Sequence, residues 1–271
     1  RERINMTAAA FGTPFVVSAV QKAWMWKSRG RLWAEQTGET GMNQRNYQKE
    51  LEKILEKLSR EKEQTGTAPT LLLHSCCAPC SSYVLKYLRE YFHITVFYYN
   101  PNISQQEEYR HRVEEQKRLI GIYNEQLASG QPGYPIEVVE GDYEPEKFFA
   151  FATALKDVPE GGERCFQCFD LRLRKTAELA KQGEFTYFAT TLTISPLKNA
   201  GKLNEIGEQL EKEYGVSWLP SDFKKKNGYR QSVELSAEYG LYRQDYCGCI
   251  YSRLERERQK TTCQMDIKTL R

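Results

Sequence analysis

The sequence predicts an α/β protein built on a parallel sheet with helices on both faces. Short apolar runs typical of buried strands alternate with amphipathic segments of ten or more residues, the pattern of repeated βαβ units. With 271 residues, 40% hydrophobic and 28% charged, the chain is long enough to bury a sizeable core, and its composition is that of a globular protein. The first apolar run ends in a cysteine-rich turn, which is the main functional signal.

Five strands and the intervening helices are predicted from apolar periodicity. The first strand begins at Leu71, and the other four cover Ile94–Tyr99, Ile136–Val139, Phe185–Leu192 and Val216–Leu219. The helices carry apolar stripes at Leu51–Leu58, Val84–Tyr91, Tyr109–Ile120, Phe148–Leu155, Phe169–Ala180 and Leu203–Leu210, and a short one ends near Gly240. Pro196 is expected to open the helix that carries Leu203, because proline suits the first helical turn.

Four segments are expected along the chain. Residues 1–41 are an extension without cysteine, and Met42 is a natural beginning. Residues 42–69 form an N-terminal helix and a polar linker, residues 70–260 the α/β domain that carries the cysteine site, and residues 261–271 a polar tail.

Charge and cysteine usage exclude several classes of protein. A net charge of +3 does not require a nucleic-acid partner but permits one through local basic patches. No apolar stretch reaches the ~18 residues that a membrane span needs. Eight clustered cysteines are too few for a disulfide scaffold, so a reducing, cytoplasmic location is expected.

Seven of the eight cysteines fall into three tight groups. Cys76, Cys77 and Cys80 follow the first strand and precede a helix, whose unpaired N–H groups and positive dipole favour thiolates. The other two groups are Cys165-x-x-Cys168 and Cys247-x-Cys249, whereas Cys263 stands alone in the polar tail.

Four thiolates from two segments can hold a zinc ion or an iron–sulfur cluster. The spacing of Cys165 and Cys168 suits either, but the adjacent Cys76 and Cys77 favour a [4Fe–4S] cubane, whose corners neighbouring residues can reach. Cys80 lies about one helical turn later. It is either a further ligand, a partner for a second metal, an unligated thiol or a small buried residue.

Cys247 and Cys249 are predicted to be a redox-active pair, because a Cys-x-Cys disulfide closes a small strained ring and is easily reduced. Two further metal ligands or two inert thiols are the alternatives. His74, inside the first strand, is expected to be a hydrogen-bonded core residue.

A basic loop before the last short helix is a candidate RNA contact. The aromatic rings of Phe223 and Tyr229 could stack on unpaired bases while the lysines contact phosphates. The candidate RNA-binding residues are Lys224, Lys225, Lys226, Tyr229 and Arg230. The alternative is an ordinary solvated face.

Five ordered motifs resemble the QueH-type epoxyqueuosine reductases, a family whose likeness extends from about Tyr47 to Leu254. The motifs are HSCCAPCSS (74–82), YNPNI (99–103), RCFQCFDLRL (164–173), TTLTISP (190–196) and YRQDYCGCIYS (242–252).

This resemblance implies a Rossmann-like sheet of the adenine nucleotide α-hydrolase type. It also implies reduction of epoxyqueuosine at wobble position 34 of tRNA, the last step of queuosine synthesis, without cobalamin and with an external electron donor. The [4Fe–4S] ligands would be Cys76, Cys77, Cys165 and Cys168, and the redox disulfide Cys247–Cys249. Some relatives have Asp at the position of Cys80 and an additional iron ion.

Two rival interpretations remain. An ATP-using tRNA enzyme of the PP-loop type would carry a Ser-Gly-Gly-x-Asp-Ser loop after the first strand, where this chain has cysteines. A zinc-stabilised RNA-binding module would contain zinc alone.

Overall fold

The computed structural model describes residues 45–269, with side chains to residue 261. The predicted extension 1–41 and the start at Met42 lie outside this range. Within it, no helix combines the length and apolar character needed to cross a bilayer.

The fold is organised around a five-stranded, fully parallel sheet with strand order β3-β2-β1-β4-β5. This confirms the predicted α/β class, and the order is that of a Rossmann-like sheet. The strands are β1 (Thr70–Ser75), β2 (His93–Tyr98), β3 (Ile136–Glu140), β4 (Tyr187–Thr190) and β5 (Ser217–Trp218).

Eight α-helices within residues 45–269 connect and cover the strands. They are α1 (Tyr47–Thr65), α2 (Ala78–Leu88), α3 (Gln106–Ala128), α4 (Pro145–Ala152), α5 (Glu163–Gln182), α6 (Ala200–Tyr214), α7 (Gly228–Glu238) and α8 (Ile250–Thr269).

Two apolar cores lie on opposite faces of the sheet, as expected for strands whose side chains alternate. Leu71 and Leu73 of β1 pack with apolar side chains of α1, α2, α3 and α7. Leu72, between them, packs on the other face with α5 and α6. Helices therefore cover both faces, and central β1 is buried on each side.

Several predicted boundaries differ from the structure. Helices α2 and α4 end at Leu88 and Ala152, before the predicted Tyr91 and Leu155. Strand β4 ends at Thr190, and a short 3₁₀ helix, Thr191–Ile194, follows it. Helix α6 begins at Ala200 rather than at Pro196, because the Asn199 side chain accepts a hydrogen bond from the Lys202 backbone N–H and caps the helix there. Helix α8 runs on through residue 261, where a polar tail is predicted.

The strand order fixes where a ligand can reach this fold. Strand β1 has β2 on one side and β4 on the other, so the connections leaving β1 and β4 diverge at the carboxyl edge between them. Such a switch point is the usual binding crevice of an open parallel sheet. The cysteine loop after β1 lies at this edge.

Two helical glycines give a paired test of the packing. A Cβ on Gly207 of α6 would lie 2.2 Å from the ring of Trp218, whereas one on Gly121 of α3 would meet nothing within 4 Å. We expect Gly207→Ala to lower the free energy of unfolding by ~1–3 kcal/mol through overpacking. We expect Gly121→Ala to raise it by ~0.5–1 kcal/mol through helix propensity. Urea unfolding measures both, and equal effects would contradict the packing described here.

Candidate metal and redox site

The loop after β1 places three thiols together at the start of α2. Cys77 is the extended residue that precedes this helix, and Pro79 lies in its first turn. The sulfur atoms of Cys76, Cys77 and Cys80 all lie within 4.8 Å of one another, with 3.8 Å between those of Cys76 and Cys77. Among the described side chains, this is the one group of three or more potential ligands packed so closely. It can hold a metal.

The three thiols share negative charge unequally. Hydrogen bonds from Cys76 and Cys80 lower the pKa of the Cys77 thiol, and the nearby Arg112 guanidinium lowers it further. The same contact with Cys77 raises the pKa of Cys76 to about 12, and the contact with Cys76 raises that of Cys80. Cys77 is therefore the most acidic thiol of the group, and the thiolate is the form that binds metal.

Hydrogen bonds between buried side chains hold the loop after β1 in place. The Ser75 hydroxyl donates to Oε1 of Gln116 at 2.7 Å, and the Ser81 hydroxyl lies 2.6 Å from that of Ser75 and 3.0 Å from the same Gln116 oxygen. The Asn100 side-chain amide donates to the Ser75 carbonyl at 2.8 Å. These bonds fix the direction in which the chain leaves β1.

His74 is a core residue, as predicted. Its Nε2 lies 3.1 Å from the Tyr99 carbonyl and its Nδ1 2.8 Å from the Thr190 hydroxyl. A carbonyl only accepts, so Nε2 carries the proton and Nδ1 accepts from Thr190. Burial, reinforced by the positive charge of Arg172, lowers the pKa of His74 to about 3, so the ring is neutral.

The second group of thiols surrounds a small cavity of about 10 Å³. Cys165 and Cys168, in the first turns of α5, line it together with Cys247 and Cys249. Burial raises the pKa of Cys168 to about 11 and also raises that of Cys165. The predicted aromatic stripe of α4 packs here, with Phe148 and Ala152 buried against Cys168 and Cys249.

Arg172 links the two cysteine-bearing segments. Its Nε donates to the Cys168 carbonyl and its Nη1 to the Asn100 side-chain oxygen, both at 3.2 Å, and Asn100 in turn holds the Ser75 carbonyl. Cys76 packs against the apolar core that includes Cys165. The sulfurs of Cys165 and Cys168 are not part of the close three-thiol group. The four-cysteine set therefore stays a prediction.

Cys247 and Cys249 form a close, unbridged pair with 3.7 Å between their sulfurs. The hydrogen bond between the two lowers the pKa of Cys247 and raises that of Cys249. Gly248 between them has a φ of +110°, a conformation that favours glycine. Its carbonyl accepts from the Ser104 N–H, and the Cys247 carbonyl accepts from Asn102.

Three polar residues beside this pair are not predicted from the sequence. Lys198 lines the thiol cavity, and its ammonium lies 3.2 Å from a Glu160 oxygen. The other Glu160 oxygen accepts from Ser252, whose hydroxyl accepts from the Cys247 N–H. Burial opposes the charge of Lys198, but the neighbouring Cys247 and Glu160 raise its pKa overall. These contacts join distant loops, and no spacing pattern in the sequence signals them.

The basic loop differs from the prediction in one respect. Phe223 is 1% exposed and packs in the core, so it is not available to stack on a base. The cations of this loop are largely paired, Lys224 with Asp222 at 2.8 Å, Lys226 with Glu52 at 2.5 Å and Arg230 with Glu234 at 2.8 Å. Tyr229 is half-buried, which raises its pKa, and lies near Arg243 and Cys80.

Comparison with known proteins identifies relatives of this chain. The family model described as epoxyqueuosine reductase QueH matches residues 71–255. An epoxyqueuosine reductase QueH of Streptococcus pyogenes serotype M1 is 42% identical over 201 residues, 74% of this chain and 77% of that protein. An epoxyqueuosine reductase QueH of Staphylococcus epidermidis is 39% identical over 78% of this chain and 87% of that protein. One of Thermotoga maritima is 36% identical, covering 69% and 92%.

Among solved structures, an NMN synthetase from Francisella tularensis aligns over 76% of this chain and 90% of its own. Its sequence identity is 14% and its TM-score 0.31. The fold is assigned here from the strand order of the chain itself.

The geometry of Gly248 makes a testable prediction. A Cβ there would lie 2.8 Å from Ile103, whereas Gly240, with φ of +58°, has open space around it. We expect Gly248→Ala to lower the free energy of local opening of this loop by more than ~1.4 kcal/mol. The buried Cys249 thiol should then be alkylated about tenfold faster. Gly240→Ala is the control for backbone strain alone. Equal rates in the two variants would show that the Ile103 contact does not hold the loop.

Proposed function

The chain belongs to the epoxyqueuosine reductase QueH family and is an oxidoreductase, and on this premise we propose how it acts. It removes the epoxide oxygen of epoxyqueuosine at wobble position 34 of tRNA and leaves queuosine, the last step of queuosine biosynthesis, without cobalamin. A cytoplasmic location follows from such a substrate. The observation that carries the proposal is the three-thiol loop at the switch point, linked through Asn100 and Arg172 to a segment that packs against an unbridged Cys-x-Cys pair.

The thiols fit an iron–sulfur cofactor. We propose Cys76, Cys77, Cys165 and Cys168 as the ligands of a [4Fe–4S] cluster, since a cubane has four iron corners that residues from two separate segments can reach. Their all-sulfur chemistry and the Arg172–Asn100 link between the two segments support this set. When bound, such a cluster supplies one-electron transfer. Cys80 would offer a further thiol ligand if an additional iron ion is bound.

The Cys247–Cys249 pair balances the reaction. Closing the dithiol to a disulfide releases two electrons and two protons. The epoxide takes up two electrons and two protons, both of its C–O bonds break, a C=C bond forms and the oxygen leaves as water. An external donor must then reduce the disulfide. The lowered pKa of Cys247 and the close Sγ–Sγ approach suit this role.

The two rival functions lack support in the loop after β1. A PP-loop ATP site needs a glycine-rich turn whose backbone can wrap phosphates. Here Ser75, Ser81 and Ser82 are buried and the turn carries three thiols. A zinc-stabilised RNA-binding module would need neither a reduced dithiol nor an electron donor, and iron and labile-sulfide analysis of the purified protein separates it from a reductase.

Cysteine substitution separates the two proposed roles. The protein is reconstituted anaerobically with iron and sulfide and assayed on tRNA that carries epoxyqueuosine. Cys247→Ser is expected to keep the iron and sulfide content but to lose multiple turnover, because the single remaining thiol cannot close the disulfide that releases two electrons. Cys76→Ser is expected to lose most of the iron. Loss of iron in Cys247→Ser would contradict the role assigned to the pair.

The basic loop is proposed as part of the tRNA-binding surface, and Lys225 is one of its exposed cations. Replacing Lys224, Lys225 and Lys226 by Gln is expected to weaken tRNA binding about tenfold at low salt and to reduce the salt slope by ~1–2. The control variant is Lys181→Gln with Lys212→Gln, on helices of the opposite sheet face. Filter binding over a salt series measures both. An unchanged slope would assign the loop to an ordinary solvated surface.

A further inference from the structure

A nearly buried ion pair beside the Cys-x-Cys loop has no role in the proposed function. The side chains of Lys198 and Glu160 are 9% and 18% exposed, and the ammonium lies 3.2 Å from the carboxylate. Lys198 sits in the turn between the 3₁₀ helix and α6, and Glu160 in the loop before α5. The Lys198 side chain also lines the cavity of the four thiols. A charge is costly to bury unless a partner of opposite charge offsets it.

A continuous chain of hydrogen bonds runs from this pair to the dithiol. Glu160 accepts from the Ser252 hydroxyl at 3.1 Å, and that hydroxyl accepts from the Cys247 backbone N–H at 3.3 Å. The Ser252 backbone N–H donates to the Cys249 sulfur at 3.3 Å. Ser252 therefore contacts both cysteines, and Glu160 holds Ser252.

The charge on Lys198 discriminates between the two redox states of the pair. A reduced pair can ionise to a thiolate, whereas a disulfide carries no charge. A buried cation therefore stabilises the reduced form and makes the disulfide easier to reduce. Glu160 acts in the opposite sense, because its carboxylate neutralises part of the positive charge that faces the sulfurs.

We propose that Lys198, oriented by Glu160, is a positioning residue that sets the reduction potential of the Cys247–Cys249 pair. This inference rests on the proposed redox role of the pair. The alternative is a structural ion pair that only fastens the 195–199 turn to the 159–162 loop. The two differ in one respect, since only an electrostatic role predicts that removing the cation and removing the anion shift the potential in opposite directions.

The test measures the dithiol–disulfide equilibrium directly. The full-length protein, with the metal it carries on isolation, is equilibrated anaerobically at pH 7 in glutathione buffers of stepped [GSH]²/[GSSG]. It is then quenched with acid, alkylated and digested with trypsin. Cleavage after Arg243 and Arg253 gives the peptide QDYCGCIYSR, in which Cys247 and Cys249 are the only cysteines. Mass spectrometry reports the oxidised fraction of this peptide at each ratio.

Opposite shifts are expected from the two variants. Lys198→Met should need about tenfold more [GSH]²/[GSSG] for half-reduction, a potential about 30 mV lower, and Glu160→Gln about tenfold less. Lys198→Arg should restore the original midpoint, because it keeps the charge. Lys202→Met is the matched control, since Lys202 is on the next turn and pairs with Glu205 at 2.7 Å on the surface.

The outcomes separate this inference from the proposed function. A parent protein whose peptide never forms an internal disulfide across the series would overturn the redox role itself. A disulfide that forms with the same midpoint in all variants, or with shifts in one direction, would overturn the role of Lys198 alone. Thermal unfolding by circular dichroism identifies a variant that fails to fold. In that case Lys198→Gln or Glu160→Met takes its place, so that the signs of the two shifts can still be compared.

Discussion

The buried guanidinium of Arg172 is the contact on which the arrangement of the cysteines depends. It is 3% exposed, and its hydrogen bonds go to the Cys168 carbonyl and to Asn100. A buried cation is tolerated where polar partners surround it. The two hydrogen bonds therefore fix the position of α5 relative to the loop that follows β2. Asn100 extends this connection to the carbonyl of Ser75. The loop after β1 and the first turns of α5 are therefore fastened to each other, although they are far apart in the sequence.

Much of this fold is predictable from the sequence, and the reasons are local. Phe169, Leu173, Ala177 and Ala180 recur at helical spacing and are all buried on one face of α5. The strands have continuous apolar runs because both faces of a parallel sheet are covered. The predicted start of α6 at Pro196 is wrong because Asn199, three residues later, caps the helix instead.

The site is only partly predictable, because its remaining contacts join segments far apart in the chain. The close group at Cys76, Cys77 and Cys80 follows from adjacency and one helical turn. In contrast, Lys198 and Glu160 meet across a turn and a loop that carry no periodic pattern. The prediction for Phe223 is also wrong, since its flanking lysines suggest exposure whereas its ring fills the core that includes Leu219 and Leu235.

The two cysteines of the Cys-x-Cys loop differ in exposure, so they are not equivalent to a molecule that approaches from solvent. Cys249 is 5% exposed, and its sulfur accepts from the Ser252 N–H, whereas Cys247 is more accessible. In the disulfide that we propose, the Cys247 side is therefore the one more open to an incoming thiol from solvent. Under the proposed redox role, a reducing partner would be joined transiently to Cys247, and Cys249 would be the resolving thiol that releases it.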